Sequence, residues 1–143
     1  GIHWAGNPLP KQDYEISLQA KRTMGSDFFC GLTFPYKESH ATLILGGWGG
    51  SLIGISSIDD FDASENETGD AFIFEENQWY DIRLRVTGSE FTVWIDNEEV
   101  IDCEVEGRRV GMRIGEIEMS VPLGLCTFAT SAKIREVKMR ILP

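Results

Sequence analysis

The residues best suited to chemistry lie in one acidic run, Ser56-Ser57-Ile58-Asp59-Asp60-Phe61-Asp62-Ala63-Ser64-Glu65-Asn66-Glu67-Thr68-Gly69-Asp70. Glu65 and Glu67 are two positions apart, so in extended chain they share a side and can divide acid and base roles in glycoside chemistry. Asp59, Asp60 and Asp62, with Asn66 and backbone carbonyls, offer a second possibility, a hard cation such as calcium, although EF-hand spacing is absent. The third reading is a solvated loop, since turn-forming residues dominate the run. Asn66-Glu67-Thr68 is also a formal glycosylation sequon, with meaning only in a eukaryotic secretory setting.

Two histidines complete the set of proton carriers. His40 opens an apolar run and is a candidate base, and His3-Trp4 is a pair that can line a sugar pocket; either histidine can equally be structural. Gly46-Gly47-Trp48-Gly49-Gly50 stands between two apolar segments. Its glycines allow a sharp turn that leaves Trp48 as the only bulky group, able to stack on a pyranose or to plug the end of the fold. The run is not a phosphate cradle: GxGxxG spacing, a Walker lysine and a following helix are all missing.

Cys30, Cys103 and Cys126 are odd in number and form no CxxC or Cys/His ligand cluster, which argues against zinc. The surroundings of Cys30 and Cys126 are those of small buried hydrophobes. No cofactor motif is present.

These groups share a distinctive electrostatic setting. The 143 residues carry a formal charge of −10, yet no Lys or Arg occurs from Glu38 to Ile82, where ten of the 23 carboxylates fall. The other 13 acids are matched by 13 bases, so the whole excess belongs to this central stretch. No basic patch suggests nucleic acid as a partner, and an acidic surface disfavours anionic lipid. No apolar run approaches the roughly 20 residues that span a membrane, and no signal peptide is visible. The abrupt opening at Gly1-Ile2-His3-Trp4 suggests a processed or trimmed chain.

The elements that position these groups read as strands. Tyr14, Ile16, Leu18 and Ala20 alternate with polar residues, as do Phe28, Cys30, Leu32 and Phe34, and Tyr80, Ile82, Leu84 and Val86. Gly88-Ser89 predicts a hairpin into Phe91, Val93 and Ile95, and Asp96-Asn97 a second one. A phase change between Ile134 and Val137 predicts a bulge in the last strand, while Arg108 to Glu118 reads as loop. Short strands at this spacing predict an all-β antiparallel sandwich of jelly-roll type, one domain over residues 1–143. Alternation further predicts that Glu15, Gln19, Phe29, Thr33, Arg83, Arg85 and Trp94 project from the outer faces. Phe29 and Trp94 would then be aromatics beside Arg, Gln and Glu, suited to a sugar or to the cover of another domain.

Asp13-Tyr14-Glu15-Ile16, Gly25-Ser26-Asp27-Phe28-Phe29-Cys30 and Leu32-Thr33-Phe34-Pro35 resemble the 3-keto-disaccharide hydrolase domain family. The Trp48 glycine run, the Asp62 to Thr68 loop, Trp79-Tyr80-Asp81-Ile82-Arg83 and Pro122-Leu123-Gly124-Leu125 look like a bacterial branch of it. The resemblance covers nearly the whole chain, with an opening strand before His3-Trp4 missing. It implies a concanavalin A-like or laminin G-like jelly roll whose concave sheet is the ligand face. It also implies a secreted or periplasmic protein, often joined to other domains, that hydrolyses 3-keto-glycosides. The ExDxE strand of related retaining glycosidases is absent.

Two functions follow as expectations. In the first, a 3-keto group acidifies the neighbouring C2 proton and cleavage proceeds by elimination and hydration, with Glu65, Glu67 and His40 as acid–base candidates. Trp48, Trp4, His3, Asn66, Phe29, Arg83 and Trp94 would hold the saccharide. In the second, the same aromatic and polar groups form a non-catalytic carbohydrate-binding or adhesion module of a larger protein. A purely structural domain is the weakest of the alternatives.

Overall fold

A computed structural model describes residues 2–112 and 121–143. In chain order its strands are β1 (Ile2–His3), β2 (Tyr14–Gly25), β3 (Cys30–Tyr36), β4 (Ser39–Gly46), β5 (Leu52–Ser56), β6 (Asp70–Ala71), β7 (Tyr80–Val86), β8 (Glu90–Ile95), β9 (Glu98–Glu104), β10 (Gly124–Cys126) and β11 (Thr130–Ile141). They form a six-stranded sheet in the order β1-β10-β3-β4-β5-β6 and a five-stranded sheet in the order β11-β2-β7-β8-β9. Every pairing is antiparallel. This is the expected β-sandwich jelly roll, and it follows from the period-two pattern, which gives each sheet one apolar face to bury.

The alternating apolar residues meet between the sheets. Tyr14, Ile16, Leu18 and Ala20 from β2 and Ile82, Leu84 and Val86 from β7 are buried against Leu32 and Phe34, Leu43 and Leu45, and Ile53 and Ile55 of the other sheet. Edge-to-face rings extend this core: Phe34 and Tyr36 both pack on Phe91, and Phe29 on Phe74. Burial also pushes the Tyr14 phenol well above its ordinary value, and its hydroxyl donates to the Pro35 carbonyl across the core.

Turn chemistry fixes the registers. Asp96 and Asn97 both have positive φ, 51° and 68°, and link β8 to β9 in two residues, as a type I′ turn requires. The bulge lies where the phase change predicts it: the β11 register on β2 shifts between Arg135 and Lys138, with Glu136 at φ 56°. Residues 108–112 are turn and bridge rather than strand, and the rest of the loop expected to Glu118 lies outside the described residues.

One expected position is overturned. Phe29 is not an outer-face aromatic; it is fully buried, in contact with Phe74 and near Tyr80. The reason is local. β3 begins only at Cys30, so Phe29 precedes the regular pleat, and both Phe29 and Cys30 reach the interior. Thr33 does sit on the outer face of its sheet, yet it too is completely buried.

Candidate functional site

What buries Thr33 defines the first candidate surface. Register alone aligns His3, Gly124, Thr33, Thr42 and Ser56 in one row across β1, β10, β3, β4 and β5. Pleating puts His40, two residues before Thr42, on the same outer face. The floor is small and hydroxyl-rich. The Thr33 and Thr42 hydroxyls lie 2.9 Å apart, and Thr42 Oγ1 donates to Met112 Sδ at 3.7 Å. His40 is half-buried, and that burial lowers its pKa from the usual 6.5, which favours a neutral imidazole. His3 is exposed beside Trp4, whose indole Nε1 donates to the Asn7 carbonyl at 2.8 Å.

The acidic loop folds down over this sheet. Ser57 and Gly111 exchange backbone hydrogen bonds, and Asp59 N–H donates to the Arg109 carbonyl while its carboxylate accepts from Arg109 N–H, which brings the 108–111 segment alongside. Ala63 sits directly on Gly54, where a Cβ would come within 2.8 Å of the Ala63 Cβ. Asn66 Nδ2 donates to the carbonyls of Ile55 and Phe61, at 2.8 and 2.9 Å. Its Oδ1 accepts from the Thr68 backbone and hydroxyl. Asn66, a candidate sugar ligand by sequence, is thus the clasp that holds the loop to β5.

Three of the loop carboxylates, Asp59, Asp60 and Glu67, are engaged by arginines. Arg108 Nε donates to Asp59 Oδ2 at 2.8 Å, and its two terminal nitrogens donate to the two oxygens of Glu67. Arg109 pairs with Asp60. The Asp59 carboxyl is held below its usual range, first by the Arg109 backbone N–H and then by the Arg108 side chain. Cys103 Sγ donates to Glu67 at 3.3 Å, and burial followed by repulsion from nearby carboxylates raises its pKa. Glu65 and Glu67 lie in turns rather than extended chain, so the geometry that paired them in the sequence is not present. Asp59 and Asp60 face guanidinium groups instead of an open cation site. Among the described residues, no three His, Cys, Asp or Glu side chains are grouped to hold a metal.

Sequence reasoning missed Arg108 and Cys103. The available signal was the Arg108-Arg109 pair, a doubled cation in an acidic chain. Cys30 and Cys103 are thiols outside any disulfide. Desolvation, with a smaller contribution from Cys126, pushes Cys30 up to about 12, so it is an inert core residue.

Trp48 is half-exposed at 42% in a short turn, Gly47–Gly50, whose backbone is left-handed at Trp48 (φ 48°) and Gly49 (φ 91°). The turn presents the indole as the glycine pattern suggests, but at the far end of β4 from His40. Six residues of strand separate His40 from Gly46, about 20 Å at the usual rise. Trp48 and His40 therefore belong to different ends of the sheet.

Arg83 and Trp94 belong to the other sheet altogether. They pair across β7 and β8, with the Arg83 guanidinium 4.2 Å from the Trp94 ring centre. The sequence-derived candidates thus separate into His3, Trp4 and His40 with the acidic loop on one sheet, and Arg83 and Trp94 on the other.

Comparison with known families matches residues 3–140 to the model of the 3-keto-alpha-glucoside-1,2-lyase-like domain. The chain belongs to this family. A comparison with curated protein sequences finds no match. Among solved structures, this family member is similar to the carbohydrate binding module CBM66 from Bacillus subtilis. The TM-score is 0.56 at 13% identity, over 90% of this chain and 74% of that one. A variant of human galectin-16 aligns with TM-score 0.57 at 12% identity, over 98% and 99% of the two chains. Chicken galectin 2 aligns with TM-score 0.55 at 11% identity, over 91% and 92%. At such identities these likenesses establish the shared fold.

Proposed function

We propose that this domain binds a 3-keto-glycoside on the outer face of the six-stranded sheet and cleaves it by elimination, with His40 as the base. The observation that carries this reading is the register, which puts a half-buried His40, its neutral form favoured, on the hydroxyl-floored face that also bears His3. The family description, a 1,2-lyase-like domain, agrees with elimination across C1 and C2.

The ketone at C3 makes the C2–H bond acidic. His40 takes that proton, the bonding electrons form the C1=C2 double bond, and the C1–O glycosidic bond breaks. The imidazolium returns its proton to the departing oxygen, and water adding to the double bond completes a net hydrolysis. Glu67 is held by Arg108 and serves the loop structure; Trp4 and His3 border the saccharide.

A non-catalytic saccharide-binding module is the second reading, favoured by the arginine pairing of the loop carboxylates. Turnover of a 3-keto-α-glucoside separates the two. His40→Gln is expected to lower turnover by about 100-fold or more, whereas Glu65→Gln retains it. Binding of the wild type with no turnover at all establishes the module; full activity in His40→Gln removes His40 from the mechanism.

A further inference from the structure

The outer face of the five-stranded sheet has the opposite electrostatic character to the acidic loop. Register aligns Lys138, Ser17, Arg83 and Trp94 in one row across β11, β2, β7 and β8. The adjacent row carries Arg135, Gln19 and Asp81, and Lys133 pairs with Lys21 beyond it. The bulge at Glu136 makes this possible: it restores the phase of β11 so that Lys133, Arg135, Lys138 and Arg140 all project outward. Without it, half of these cations would point toward the core.

These cations are unequally neutralised. Glu15 takes both Arg85 and Arg140, and Glu136 stands 3.7 Å from Lys138, exposed on both sides and so only loosely paired. Among the described residues, Lys21, Arg83, Lys133 and Arg135 have no carboxylate within ion-pair distance. Three are instead held over indoles, Arg83 on Trp94 at 4.2 Å, and Arg135 and Lys21 on Trp79 at 3.8 and 4.9 Å. Such stacking fixes the guanidinium plane while leaving its edge N–H groups to hydrogen-bond. A depression of about 330 Å³ lies over the row, lined by Ser17, Gln19, Arg83, Trp94 and Lys138 and also by two carboxylates, Asp81, which accepts from Gln19 Nε2, and Glu136, beside Lys138. That is near the lower limit of the usual ligand pocket.

We infer that this trough is a second saccharide site, selective for a pyranose bearing a carboxylate. Lys138 and Arg83 stand two strands apart, about 10 Å, a span that one pyranose and its substituents cover. The carboxylate takes the fork of Arg83, Ser17 and Gln19 meet ring hydroxyls, and the edge of Trp94 borders the apolar face of the ring. The site lies on the opposite sheet from His40 and is independent of the elimination chemistry.

Calorimetric titration with trigalacturonate and with its fully methyl-esterified form tests the assignment, because the two share the pyranose framework and only the first carries ionised carboxylates. The acid is expected to bind at least about tenfold more tightly than the ester, with affinity falling as salt rises. Arg83→Gln and Lys138→Gln should each weaken binding roughly tenfold, while Arg85→Gln, already engaged by Glu15, changes it by no more than about twofold. Arg83→Lys, which keeps the charge and loses the fork, should fall between, and guards against a misfolded Gln variant. Equal affinity for acid and ester, no binding of either, or equal competition by a single-stranded oligonucleotide of the same charge overturns the inference. His40→Gln should leave this binding unchanged, so the two proposals can fail separately.

Discussion

The two outer faces of the sandwich are built on opposite principles. On the six-stranded sheet, small and hydroxyl residues such as Gly54, Thr33, Thr42 and Ser56 are buried, with Ala63 of the acidic loop resting on Gly54 and bonded to Ser56, and Met112 against Thr42. On the five-stranded sheet, long charged side chains, Arg83, Arg85, Lys138 and Arg140, remain at least partly in solvent. Short residues let a second layer of chain approach the sheet beside His40, whereas long ones keep their charged ends in water. The covered face can tune a histidine by desolvation. The open face can only arrange charge.

The largest contrast is expected from substituting the covered face. Gly54→Val puts a Cβ within 2.8 Å of Ala63, so the loop must lift or the strand must shift. Valine is a better strand former than glycine, so on an open face this change would be neutral or favourable. Here crowding should win, at a cost of about 1–3 kcal/mol. Arg83→Gln on the open face should stay within about 0.5 kcal/mol. Urea unfolding of both variants measures the difference. Equal stabilities would show that the loop does not bear on Gly54 in solution.

A smaller effect separates the loop from the rest by its response to acid. The carboxyl of Asp59 titrates below its ordinary 3.8 in the folded chain. The unfolded chain therefore binds that proton first as pH falls. The stabilisation is present above the ordinary value and is lost as pH drops through the lower folded value. Arg108→Gln removes one cause of the lowering and leaves the Arg109 backbone N–H in place. Its melting temperature should thus decline less steeply than the wild type's between pH 4 and 2. Parallel declines would mean that Arg108 contributes nothing to the state of Asp59.

Much of this contrast could be read before any coordinates, and the failures have a common cause. The alternation in β2 and β7 correctly placed Tyr14, Ile16, Leu18, Ile82 and Leu84 inside, the turn residues correctly placed the hairpins, and the phase change after Ile134 correctly placed the bulge. Alternation reports which side of a sheet a residue occupies, not what covers that side. Thr33 faces outward and is buried all the same. Phe29 failed because the pleat starts one residue later, and the clasp that Asn66 makes to β5 was not legible because a short amide can bind backbone as readily as it can meet a ligand. The pairing of Arg108 with Glu67 joins positions 41 apart, beyond any local pattern.

The last difference between the faces lies in the neutral pH range. Both histidines of the chain are on the six-stranded sheet, His3 in β1 and His40 in β4. Burial lowers the pKa of His40 from 6.5, so the unfolded chain takes up this proton at higher pH than the folded chain does. Stability should therefore fall as pH drops below about 6.5 and level off once the folded histidine is also charged. His40→Gln lacks this term, and its denaturation midpoint should vary less between pH 7.5 and 5 than that of the wild type. Arg83→Gln should follow the wild-type curve. The effect is modest, yet it reads the same desolvation that the elimination mechanism needs. If wild type and His40→Gln fall in parallel, the imidazole is solvated like any surface histidine, and it loses its claim to be a neutral base.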